Sequence, residues 1–125
     1  MATLALGCLY LSTALFGVWI LKSNFNFLGF LFNPANKKFY FISDLIFISL
    51  CILAISEQVH SQYKQGLLIL FFLMHVYNSG ILLFDSKKFY ESKDQMRELG
   101  EDALVYAGIF IISTAGIICI YIAYS

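Results

Sequence analysis

The sequence predicts an all-α integral membrane protein with four transmembrane helices and both termini on the luminal or external side. Four long apolar runs, at residues 2–21, 39–55, 67–84 and 103–124, occupy most of the chain. About 20 residues rising ~1.5 Å each match a hydrocarbon core of roughly 30 Å. Composition agrees, because 60% of the residues are hydrophobic and 13% are charged, against roughly 25% charged in a soluble domain. The runs are continuous, whereas strands of a membrane barrel would alternate apolar and polar positions over ~10 residues. Residues 1–125 are therefore expected to form a single membrane domain.

The first run is too long for a signal-peptide core of about 7–15 residues. No basic residue precedes it and Lys22 follows it, so it reads as a permanent helix. Thr13 and Gly17 within it, like Ser113 and Gly116 in the fourth run, are small residues at a spacing that lets helices approach closely. The loop 22–38 carries the turn formers Asn24, Asn26, Asn33-Pro34 and Asn36, interleaved with Phe25, Phe27, Phe30 and Phe32. Together with Phe39 and Phe41 this suggests a segment that partly re-enters the membrane or lies among the headgroups.

Asp44 falls about one turn inside the second run. At that depth its carboxylate can reach water, Lys37 or Lys38, or else serve a client or an ion pathway. In the third run His75 and Asn78 lie three apart with Ser79 beside them, a polar strip on a helix otherwise built of Leu, Ile and Phe. Such groups face protein rather than lipid. They suit interhelical hydrogen bonding, or alternatively a ligand, a proton relay or a haem contact.

The polar segment 85–102 would form a surface helix with Phe89, Met96 and Leu99 on one stripe. Gly100 would end it, and Glu101 with Asp102 would cap the fourth span. The fourth run then continues to the end of the sequence.

Net charge is zero, which points to no nucleic-acid partner. Its distribution says more. Lys22, Lys37 and Lys38 lie in loop 22–38, and Lys87, Lys88, Lys93 and Arg97 in loop 85–102, while Lys64 alone serves the loop between. Basic residues beside short loops stay cytoplasmic, so loops 22–38 and 85–102 are expected in the cytoplasm. Cys8, Cys51 and Cys119 all fall within spans, where a thiol behaves as a small hydrophobe, and neither a disulfide framework nor a zinc-type spacing emerges. No nucleophile and base, phosphate loop or paired catalytic carboxylates can be assembled. Action by binding rather than by catalysis, with no metal or cofactor, is the expectation.

From Asn33 onward the order of features resembles the cornichon family of eukaryotic cargo receptors. Asn33-Pro34 is similar to the family's Asn-Pro after its first helix, and Leu82-Leu83-Phe84-Asp85-Ser86 to its Leu-Leu/Tyr-Asp-Ala/Pro-Thr run after the third. A polar loop follows, then a final Tyr- and Ile-rich helix ending Ile120-Tyr121-Ile122-Ala123-Tyr124-Ser125. The family's acidic segment and cysteine around Asn-Pro and the Pro-Glu opening its second helix are not found here. Nor is the Asn-Pro before its third helix, although Met74-His75-Val76-Tyr77 sits near that place.

The resemblance implies recruitment of transmembrane cargo proteins into COPII vesicles, in endoplasmic reticulum and Golgi membranes. In the family a short segment after the aspartate contacts the coat adaptor, and the first two helices lie nearest the client. The matching positions are Lys88, Phe89, Tyr90, Glu91 and Ser92. Phe89 and Tyr90 would either enter a coat pocket or anchor the loop to the bilayer. Asp44, His75 and Asn78 are the candidate intramembrane client contacts. The competing expectation is a haem- or quinone-associated membrane anchor, or an accessory subunit, of a respiratory complex in the mitochondrial inner membrane. It rests on His75, Gly80 and Asp85, and a second haem ligand would have to come from another subunit. A small channel or transporter fits less well, because inverted repeats and broken helices are missing.

Overall fold

The computed structural model describes residues 1–23, 29, 30, 33–98 and 100–125. It is all-helical, with no strand among the described residues: α1 (Ala2–Lys22), α2 (Lys37–Glu57), α3 (Gln62–Phe84), α4 (Ser86–Arg97) and α5 (Glu101–Tyr124). All but α4 are long and apolar enough to cross a membrane.

The ends of these helices follow from local chemistry. The Asn33 side chain accepts from the Ala35 N–H at 3.0 Å, which starts the short 3₁₀ turn Pro34–Asn36 with proline at its head, where no amide is needed. The Asn36 side chain donates to the Phe30 carbonyl at 2.7 Å, and α2 begins directly afterwards. Of the aromatic loop, residues 24–28, 31 and 32 lie outside the described residues, and the expected re-entrant segment with them.

A tight turn joins α2 to α3. Ser61 caps α3 by accepting from the Lys64 N–H at 3.4 Å, while Gln65 Nε2 donates across the turn to the Ile55 carbonyl at 3.2 Å. This makes α3 start well before the apolar run, because Gln62, Lys64 and Gln65 are good helix formers that stay polar. At the far end Asp85 leaves the helical region and caps α4 by accepting from the Lys88 N–H at 3.3 Å. Lys37 Nζ donates to Ser86 Oγ at 2.9 Å, which ties the start of α2 to this junction.

The start of α5 differs from expectation. Its N-cap is Gly100, held at φ 112° where a side chain would be strained, and no side-chain cap is made. Asp102 sits inside the first turn, where its charge complements the helix dipole without capping it.

Packing is closest between α1 and α5. They run antiparallel, with Gly7 against Gly116, Cys119 and Ile120, and Gly17 against Ile109. A Cβ at Gly7 would lie 2.8 Å from Ile120 Cγ1 and 3.1 Å from the Gly116 carbonyl, so the backbones meet only because both residues are glycine. Of the expected contact residues Gly17 and Gly116 act in this way; Gly7 is an addition. The N-terminal end of α1 and the C-terminal end of α5 thus share one end of the bundle. There Glu57 accepts from the Thr3 N–H at 2.9 Å and Thr3 Oγ1 at 2.8 Å, as well as from the Ala2 N–H and the Met1 amine. A carboxylate on the unpaired amides of a helix N-terminus satisfies donors that hydrocarbon cannot.

The remaining contacts place α2 against α1 and α3 against α2, whereas α3 and α5 barely touch. Leu6, Tyr10, Cys51, Ala54, Leu68, Ala115, Cys119 and Ile122 form the core between them. The bundle is therefore closed on three sides and loose along the fourth.

Candidate functional site

Two features built from the central residues define the site: a hydrogen-bonded polar chain and a cavity beside it. The tight α2–α3 turn sets the first. Asp44 and His75 lie equally far from that turn on its two sides, so folding α3 back on α2 brings them to the same depth. His75 Nδ1 lies 2.7 Å from Asp44 Oδ1, Ser79 Oγ donates to Asp44 Oδ2, and Tyr10 of α1 reaches His75 Nε2 at 2.7 Å.

Proton positions follow from what each group can do. A carboxylate only accepts, so His75 Nδ1 carries a proton toward Asp44, while the Tyr10 hydroxyl pairs with Nε2. Asp44 is 7% exposed and Ser79 6%, so neither oxygen relies on water. Aromatic rings complete the enclosure. Phe47 stacks on His75 with centroids 5.0 Å apart and on Tyr10 with centroids 4.9 Å apart. The chain therefore ties α1, α2 and α3 together through groups that hydrocarbon would otherwise leave unpaired.

This corrects the expected partners of Asp44, which lies about two turns inside α2 and bonds to His75 and Ser79 rather than to Lys37 or Lys38. Lys37 instead reaches Ser86. The helical phase of α2 turns Asp44 toward α3.

The second feature lies where α3 and α5 separate. A cavity of about 310 Å³ is lined by Phe71, Met74, His75 and Asn78 of α3, by Phe110 and Ile111 of α5 and by Tyr10 of α1, among others. Met74, Phe110 and Ile111 on its rim are exposed, so the cavity opens sideways rather than toward either end of the bundle. Thr114 Oγ1 is occupied by the Phe110 carbonyl at 2.8 Å. Among the described residues the Asn78 carboxamide makes no hydrogen bond.

The three expected intramembrane contacts thus separate. Asp44 and His75 are bonded to one another inside the bundle, with His75 also lining the cavity, and Asn78 lines the cavity without a hydrogen bond among the described residues. Tyr10 was not anticipated, although a tyrosine in mid-span rather than in an interfacial belt is itself a signal.

In the loop segment the structure buries Phe89, which is 2% exposed and packs on Tyr40 at 5.1 Å between ring centroids, with Lys93 Nζ 5.2 Å above its ring. Burial draws the Lys93 ammonium below its ordinary pKa. Tyr90 is half-buried, and Lys88, Glu91 and Ser92 are exposed. An outward Phe89 anchor is therefore not what α4 presents. Met96 of the expected stripe is exposed, and Leu99 lies outside the described residues.

Among the described residues no group of three His, Cys, Asp or Glu is placed to hold a metal ion. Cys51 and Cys119 are buried free thiols, and Cys8 is an exposed one. No family model matches this chain, and neither a curated protein nor a solved structure matches it.

Proposed function

We propose that this chain is a cornichon-like cargo receptor that gathers transmembrane clients into COPII vesicles, acting by binding rather than by catalysis. The observation that carries the reading is the open seam between α3 and α5, a lateral docking place on a bundle whose other sides are closed. The internal polar chain suits this role because it holds α1, α2 and α3 as one body while leaving the seam mostly apolar, with Asn78 on it. The order of motifs from Asn33-Pro34 to the final helix supports the same reading, with loops 22–38 and 85–102 cytoplasmic. The seam lies on the opposite side from the pairing of α1 with α2, so client contact in this chain would use a different face from the family's.

Coat contact falls to the exposed members of the segment, Lys88, Glu91 and Ser92, with Tyr90 beside them. The haem-anchor alternative loses ground on one specific point. Both ring nitrogens of His75 are engaged, by Asp44 and by Tyr10, so iron ligation would require breaking one of those bonds.

The test is crosslinking in native membranes followed by affinity purification and mass spectrometry. A photoreactive residue at Met74 or Phe110 on the seam should capture diverse transmembrane proteins, together with vesicle-coat adaptors in the same preparation. One at Ile52, exposed away from the seam, should not. Respiratory dehydrogenase subunits recovered in fixed stoichiometry would overturn the proposal.

A further inference from the structure

The seam carries chemical information about what fills it. Tyr10, His75, Asp44 and Ser79 satisfy one another, and Thr114 satisfies itself on its own helix. Among the described residues lining the cavity, Asn78 alone offers it both an unengaged donor and an unengaged acceptor. An amide without a partner in hydrocarbon is costly, and a partner that supplied both an acceptor and a donor would remove that cost.

Depth narrows the choice of partner. Asn78 lies about 9 Å along α3 from Phe84 at ~1.5 Å per residue, well inside a hydrocarbon core of roughly 30 Å. A phospholipid headgroup is held at the surface by its charge and would fall short of that position. A helix crossing the membrane places a side chain at any depth its sequence dictates.

We propose that the α3–α5 seam receives a transmembrane helix bearing a side-chain amide or hydroxyl at the depth of Asn78. That group bonds to the Asn78 carboxamide while apolar side chains one turn away enter the cavity beside Phe71, Met74 and Ile118. This rests on the reading of the chain as a receptor for membrane-embedded clients and names the feature by which it selects them. Small changes in helix sequence would then sort clients without any luminal or cytoplasmic contact.

The experiment uses the full chain, donor-labelled, in phosphatidylcholine vesicles with acceptor-labelled model peptides. One peptide is an all-apolar Leu-Ala transmembrane helix, and the other carries a single Asn at the matching depth. Interhelical side-chain hydrogen bonds are worth about a threefold to fifteenfold change in association. The Asn peptide should associate tighter by that factor. Asn78→Leu should erase the preference and Asn78→Gln should retain most of it. Tyr77→Leu, on the exposed neighbouring face, should leave it unchanged.

Equal association of the two peptides overturns the proposal, and so does a preference that survives Asn78→Leu. Binding of a short-chain quinone analogue that depends on Asn78, without any peptide preference, overturns it in favour of a small ligand. No coat or secretory membrane is present in the assay, so this result stands apart from whether the chain exports cargo in cells.

Discussion

Asp44 of α2 and His75 of α3 are joined at 2.7 Å inside the bundle, with Ser79 on the second carboxylate oxygen and Tyr10 on the far side of the imidazole. The pair gives the α2–α3 hairpin a fixed register. In an apolar helix pair any slip by one turn still buries similar surface, but only one register satisfies a buried carboxylate and imidazole together. The polar pair therefore specifies which faces meet, and packing supplies most of the attraction.

Replacing Asp44 tests this directly. Asp44→Leu leaves the His75 Nδ1–H without an acceptor, while Ser79 can turn back to a carbonyl of its own helix. The expected loss is about 1–3 kcal/mol, the cost of one buried unpaired donor. Asp44→Asn keeps an acceptor toward His75 and should lose less. Unfolding midpoints in detergent for the two variants check the order, and equal midpoints would show that the carboxylate is not holding the imidazole.

Tyr10→Phe separates hydrogen bonding from stacking. The ring keeps its contact with Phe47, and only the hydroxyl on Nε2 is lost. A loss of roughly 0.5–1.5 kcal/mol is expected. Because Nε2 then faces the cavity unpaired, a soluble imidazole-reactive reagent should modify His75 faster in this variant than in wild type, read by peptide mass. Unchanged reactivity would mean that the cavity does not admit small molecules to the imidazole.

How far these features were legible in the sequence depended on range. The four spans follow from the length and composition of each run, which are local properties, and their bounds moved only where polar helix formers such as Gln62 and Gln65 extend a helix past its apolar part. Asp44, His75 and Asn78 were each conspicuous as polar residues in apolar runs. Their pairing was not, because it depends on where the turn closes: placing the start of α3 at residue 67 rather than Gln62 shifts the register and separates Asp44 from His75 in depth. Phe89 shows a different limit. Aromatic residues on a short helix look the same in sequence whether they point outward or pack down, and Tyr40, which covers Phe89, lies on another helix.

The α1–α5 crossing gives a steric prediction. Gly7→Val and Gly116→Val would drive side chains into Ile120 and Leu11, which lie 2.8 Å and 2.9 Å from an added Cβ, and carbonyl oxygens sit only slightly farther away. Overpacking of this kind costs about 1–3 kcal/mol. Gly66→Ala is the matched control, since nothing lies within 4 Å of its added Cβ, and it should be neutral or slightly stabilising. Thermal unfolding of the three variants in the same detergent checks this, and equal effects at all three glycines would contradict the close crossing.

Two sets of variants separate the packing of α4 from any contact made by its outer face. Phe89 is buried against Tyr40, so Phe89→Ala removes a packed ring and is expected to cost about 3–5 kcal/mol, freeing α4 from the bundle. Protease cleavage within 86–97 should rise sharply in that variant, and any export defect would then report a displaced helix rather than a lost anchor. Lys88, Glu91 and Ser92 are exposed, and replacing all three with Ala should leave both proteolysis and the melting midpoint near wild type. If α4 contacts the coat through its outer face, this triple variant is the one that slows cargo export from the endoplasmic reticulum. Normal export by a fully folded triple variant would remove that face from coat binding.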